Sequence, residues 1–276
     1  MIGHSARPVA PGDDLPGQIR QTPGGVALNI ARSLARLGHG VALLSAIGRD
    51  MAGNTLAAQA QAEGIDISLL HRPETRPTDR YMAIEGACGL LAAIADSSTL
   101  EACSSELLSP LRDGRLAGWR GTIVLDSGLR DDQLAQLAQS SWTHATDLRL
   151  TSAAPAKAAR LAPFLHRGNA VFYLNLGEAS ALLAQDFPDS HSAALALVSA
   201  GAARAIVTDG PRAATDADAA ASLSRTPPLR DLRRVTGAGD MFMAHHIDAE
   251  LRAIPRADAL AAALDAAACH ISTSDT

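Results

Sequence analysis

Aromatic side chains are scarce: Phe, Trp and Tyr make up only 3% of the 276 residues. A core with so few rings has to be packed mainly by Leu, Ile, Val and Ala, and small residues favour close contact between helices and a sheet. Cysteine is scarcer still. Cys88, Cys103 and Cys269 are odd in number, with no Cys-x-x-Cys spacing and no His partner at zinc-like distance. That excludes a disulfide framework and gives no metal site, so buried free thiols are expected. There is no basic excess either, since 24 Lys and Arg face 29 Asp and Glu for a formal net charge of -5. Nucleic-acid binding needs a clustered basic face, so no nucleic-acid partner is expected, and Arg230, Arg233 and Arg234 form only a local spot. No apolar run reaches the roughly 20 residues of a membrane helix. No basic segment followed by an apolar one opens the chain, so no membrane partner and a cytoplasmic location are expected. Gly-x-Gly-x-x-Gly, the Walker Gly-x-x-x-x-Gly-Lys-Ser/Thr and the Gly-x-Ser-x-Gly elbow are all missing. Dinucleotide, P-loop and hydrolase readings therefore have no anchor.

What is present has the balance of a globular protein, with 47% apolar and 19% charged residues. Val41–Ile47, Thr122–Asp126, Val171–Asn175 and Ala205–Thr208 read as buried strands alternating with helical stretches. The pattern predicts an α/β fold: a mostly parallel central sheet flanked by helices. Val26, Ile30, Leu34 and Leu37 recur at helical spacing and stop at Gly38, and a second helix is expected from Asp50 to about Gly64. Two segments break this rhythm. Residues 1–23 are rich in Pro, Gly and Asp, while 80–96 reads as two strands around Glu85-Gly86-Ala87. Together they are expected to form a small β flap, or lid, on a single domain spanning 1–276, and the lid is a candidate homodimer contact. Residues 211–229 read as loop with weak strands.

Four places could carry chemistry. Gly237-Ala238-Gly239-Asp240 precedes the amphipathic stretch Met241–Leu251 and should open a helix, offering backbone N–H groups to an anion. Asp240 falls on one helical face with Met243, Ala244, Ile247 and Leu251, which aims its carboxylate inward. The plainer alternative is a first-turn Asp that complements the helix dipole. Gly24-Gly25 lies just before the helix bearing Asn29, where backbone can approach a ligand or simply enter the helix. Asn175 ends a strand with Glu178 three residues on, which fits a ligand site at the end of a parallel strand or a reciprocal helix cap. Thr208-Asp209-Gly210 is a further strand end. His245 and His246 are adjacent on a helix and face different ways, so a shared metal is not expected. Lys157 reads as a solvated charge in an Ala-rich helix.

In this order, Gly24-Gly25 with Asn29, Asn175-x-x-Glu178, Thr208-x-Gly210 and Thr236-Gly237-Ala238-Gly239-Asp240 resemble the ribokinase (PfkB-type) family of sugar and nucleoside kinases. The stretch from Pro23 through Asn29-Ile30-Ala31 and Leu37-Gly38 to Ile47-Gly48-Arg49-Asp50 and Gly53 resembles that family's first signature. Asn29-Ile30-Ala31, Ala93-Ile94-Ala95-Asp96 and Val235–Asp240 look nearest to pseudouridine kinases. The resemblance implies an ATP- and Mg²⁺-dependent transfer of phosphate to a hydroxymethyl group of a ribose-type sugar or nucleoside. Pseudouridine leads, with ribose, adenosine and fructose as alternatives. It also implies roles. Gly24, Gly25 and Asn29 would hold sugar hydroxyls, and Asp240 would act as base. Gly237, Ala238 and Gly239 would form an anion hole. Asn175 and Glu178 would organise Mg²⁺ and its waters, and Thr208 and Gly210 would flank the nucleotide. This chain departs from the family pattern at Arg234, Ala213 and Leu150-Thr151-Ser152. Against the family pattern, a sequence that opens at Met1-Ile2-Gly3-His4 is expected to lack the Gly-rich strand with its Asp, and the end at Thr276 reads as short. A truncated or degenerate member without catalysis is the rival reading.

Overall fold

Val26–Arg36 forms the first helix, α1, because its apolar residues at helical spacing have a layer to cover: Ile30, Ala31 and Leu34 are buried. Gly25 enters it at φ 112°, a left-handed conformation that a side chain would strain. A computed structural model describes residues 1–5, 7–10, 12–86, 89–116, 118–144, 146–231 and 236–273. Ala87, Cys88, Arg233, Arg234 and Val235 therefore lie outside the described residues. The second helix, α2 (Met51–Ala62), starts as expected after Asp50, whose side chain caps Gly53 N–H at 2.9 Å.

Among the described residues the central sheet has six strands, running from Ser222–Arg225 at one edge through Ala214–Asp218, Arg204–Thr208, Ala170–Asn175 and Asp147–Thr151 to Thr122–Asp126 at the other. Thr122–Asp126 (β5), Asp147–Thr151 (β6), Ala170–Asn175 (β7) and Arg204–Thr208 (β8) are parallel, and Ala214–Asp218 (β9) and Ser222–Arg225 (β10) complete it antiparallel. Alternate side chains on each strand face opposite layers. Phe172, Leu174 and Val207 meet Leu134, Phe164, Leu182 and Leu197 on one face. Tyr173 and Ile206 meet α1 on the other, together with Ala238–Leu251 (α6) and Arg256–Ser272 (α7). Asp131–Gln139 (α3), Leu176–Leu183 (α4) and Ser190–Ser199 (α5) cover the first face.

A separate four-stranded sheet, ordered β2-β1-β3-β4, joins Ile2–His4 (β1) and Gln18–Arg20 (β2) to Arg80–Gly86 (β3) and Gly89–Asp96 (β4). Both irregular segments thus contribute to one small sheet. Residues opposite each other in a ladder share a face, so Ile19, Ile84, Met82 and Ile94 line up on one side of it. All four are exposed, Ile19 at 80% and Ile94 at 64%.

Several expectations are corrected. Val41–Ile47 is not a ladder strand; it makes only isolated bridges, Ala42 to Asp66 and Ala46 to His71. Residues 211–229 are more than loop, because β9 is buried over its first four residues. It holds Asp216, fully buried between Arg204 and Arg256. Leu251 leaves the inward face of α6 and is 53% exposed. Lys157 is not merely solvated, for its ammonium donates to Ser97 and Glu101. Of the two described cysteines, Cys103 is buried but Cys269 is exposed. Among the described residues no helix is long and apolar enough to cross a membrane.

Candidate functional site

Gly237 caps the N-terminus of α6 in a left-handed conformation at φ 85°, and Met241 N–H donates to its carbonyl at 3.0 Å. The N–H groups of Ala238, Gly239 and Asp240 belong to the first turn of the helix and have no partner within it. Asp240 sits where α6 meets α1. Asn29 Nδ2, 211 residues away in sequence, donates to Asp240 Oδ2 at 2.7 Å.

Sequence reasoning passed over a third member. Asp126 at the end of β5 accepts from Gly128 N–H at 2.6 Å, and Ala27 N–H in the first turn of α1 also points to its carboxylate. Its position at the C-terminal end of a parallel strand was the available signal. Burial pushes the Asp126 carboxyl up. Burial also pushes Asp240 up, to about 6; the Asn29 bond opposes this and the nearby Asp126 charge adds to it.

Asn175 and Glu178 form a reciprocal capping box at the start of α4. Glu178 N–H donates to Asn175 Oδ1, and Asn175 N–H donates to Glu178 Oε2, each at 2.9 Å. Glu178 is nevertheless 8% exposed. Burial raises its pKa to about 7, with a smaller contribution from the Asp240 charge. The Asp126 charge thus adds to the rise at Asp240, and the Asp240 charge adds to the rise at Glu178. Among the described residues no group of three or more His, Cys, Asp or Glu side chains could hold a metal ion directly, so Mg²⁺ at Asn175 and Glu178 would have to be held through water.

Asn175 stands opposite Thr208 in the β7–β8 register. Beyond that edge lies an open cleft of about 710 Å³, lined by Leu176, Gly177, Ser180, Phe187 and Asp209. Asp209, rather than Thr208 or Gly210, faces this cleft, and Arg212 Nε pairs with it at 2.8 Å. Gly210 is exposed at φ 55°. Gly24 and Gly25 are exposed at the mouth above Asn29, with no neighbour near either missing side chain.

The fold recurs in a ribokinase from Thermotoga maritima (TM-score 0.82, 18% identity, 99% of this chain and 89% of that one). A carbohydrate kinase from Agrobacterium tumefaciens superposes with TM-score 0.81 at 27% identity, over 99% of this chain and 88% of that one. By sequence the chain is 31% identical over 142 residues to the pseudouridine kinase of Escherichia coli (strain K12), which takes in 51% of this chain and 45% of that protein. The matches to curated relatives thus take in less than half of each relative's length. The pfkB family carbohydrate kinase pattern, by contrast, runs over residues 2–276, nearly the whole sheet, lid and helix layers just described. With that span matched and the ribokinase fold reproduced, the chain belongs to the pfkB family of carbohydrate kinases.

Proposed function

We propose that this protein transfers the γ-phosphate of ATP to a hydroxymethyl group of a ribose-type sugar or nucleoside, with pseudouridine the leading acceptor. The observation that carries this reading is the Asn29–Asp240 bond at the N-terminus of α6, where a carboxylate of raised pKa meets first-turn backbone N–H groups that have no partner within the helix. Asp240 Oδ1 takes the proton of the attacking hydroxyl as the new O–P bond forms and the bond from the γ-phosphorus to the bridging oxygen breaks. The N–H groups of Ala238, Gly239 and Gly237 stabilise charge on the transferred group. Gly24, Gly25 and Asn29 hold the sugar, with Asp126 as a further acceptor for its hydroxyls. ATP lies along the cleft between α4 and the Thr208–Gly210 turn. When bound through Asn175 and Glu178, Mg²⁺ supplies charge neutralisation on the phosphates.

The E. coli relative's name favours pseudouridine over ribose, adenosine and fructose. With ATP and Mg²⁺ present, pseudouridine is expected to show the highest kcat/KM of these four. A higher value for any other reassigns the acceptor.

The exposed Ile19, Met82, Ile84 and Ile94 face supports a homodimer formed through the lid, since burying each such side chain contributes about 1.5–3 kcal/mol. Sedimentation equilibrium is expected to give twice the 28.5 kDa chain mass. An Ile94→Asp variant should then run as a monomer, whereas a wild-type monomer would refute the contact.

A further inference from the structure

The turn that opens α6 has no side-chain cap of its own, because its N-cap is Gly237. Support comes instead from the neighbouring helix. His270, in the last turn of α7, places Nε2 3.1 Å from the Thr236 carbonyl oxygen. A carbonyl only accepts, so the proton in that bond is on Nε2. The same nitrogen would lie 3.1 Å from a Cβ built on Gly237, so the imidazole packs against the bare side of this glycine. The mount is firm: α6 and α7 pack through buried Met243, Ile247, Leu260 and Leu264. A ring fixed to α7 therefore sets where the Thr236–Gly237 peptide can go. His270 belongs to none of the four segments that carry the family resemblance.

We infer that His270 is a positioning residue for phosphoryl transfer. It holds the Thr236–Gly237 peptide so that the first-turn N–H groups and the Asp240 carboxylate keep their places at the site. This rests on the reading of that turn as the anion hole, and the ring itself need touch no substrate. A small displacement of such a turn is costly, since misplacing reacting groups by an ångström lowers rates by as much as about 10²-fold.

The test compares His270→Ala and His270→Gln in the full chain, because the Gln amide nitrogen can still donate to the Thr236 carbonyl. For Ala, kcat should fall by about tenfold or more with the acceptor KM within about twofold, and Gln should recover to within about threefold of wild type. Amide exchange of residues 237–240 should speed by about tenfold in Ala and far less in Gln, with the buried amides of α7 unchanged. An Ala variant within about twofold of wild type in both kcat and exchange overturns the assignment, as does equal loss in Ala and Gln. Should wild type transfer phosphate to no acceptor, the kinase reading fails. Exchange alone then decides the brace: faster in Ala upholds it, unchanged refutes it.

Discussion

Asp240→Asn is expected to lower kcat by about 10²- to 10⁴-fold while ATP binding stays within a few-fold of wild type. The amide keeps the shape and can still accept from Asn29, but it cannot take the proton of the attacking hydroxyl. A first-turn Asp serving only the helix dipole would predict the reverse, at most about 1 kcal/mol of stability and nearly full turnover. Retention of more than about a tenth of wild-type kcat therefore removes Asp240 from the base role. The same variant has a second signature. Asp240 titrates near 6 in the fold against an ordinary value of 3.8, so the folded state holds the proton more tightly and stability drops as pH rises between those values. Asn escapes that cost. At pH 8 the variant should be more stable than wild type by up to about 3 kcal/mol, and the gain should vanish below pH 4. In the wild type kcat/KM should fall as pH drops through about 6, where the free carboxylate is lost.

The second large effect lies at the opposite end of the sheet and concerns how α6 is held. Asp216 has no exposed surface, and Arg204 and Arg256 both donate to it. Arg204 and Arg149 both also pair with Glu250, in the last turn of α6, and Arg149 donates to Tyr173 Oη, which contacts His246. Burial opposes ionisation of Asp216, but the two guanidinium groups hold its pKa below the ordinary value. Asp216→Ala takes from Arg204 and Arg256 the buried carboxylate they share, leaving Arg204 only Glu250 and Arg256 only Asp218. It is expected to cost about 3–5 kcal/mol, the range for breaking one partner of a buried pair. At a few degrees per kcal/mol for a chain of this size, Tm should drop by roughly 6–20 °C. Asp132→Ala, which breaks the exposed Arg130–Asp132 pair, is the control and should cost less than about 1 kcal/mol. Equal Tm for the two variants would show that the network does not anchor the helix.

Local patterns were legible wherever a short segment determines its own structure. The α1 periodicity, the Asn175–Glu178 box and the glycine-opened start of α6 follow from spacing, caps and backbone freedom within a few residues. What stayed hidden depends on partners far along the chain. The pattern predicts the flap over 1–23 and 80–96, but not which residues of 1–23 are its strands nor that β1 runs parallel to β3, because β1 and β2 are three residues each and β1 pairs with a strand some 80 positions on. The run Ala-Thr-Asp-Ala-Asp of β9 has weak strand propensity and an acid at its centre, and it is buried because Arg204 and Arg256 neutralise that acid. Val41–Ile47 has strand composition and packs into the core, but its β-pairing is limited to isolated bridges to Asp66 and His71, so composition alone overstated it. Asp126 was visible as a strand end, but its closeness to Asp240 required the crossing of α1 over β5.

Transfer of label from [γ-³²P]ATP, with Mg²⁺ and pseudouridine as acceptor, tests the proposed chemistry most directly. A labelled phosphomonoester formed by wild type and reduced by about 10²-fold or more in Asp240→Asn is the predicted result. Label that stays in ATP, or appears only as inorganic phosphate with every ribose-type acceptor, contradicts it and leaves the fold without the transferase activity.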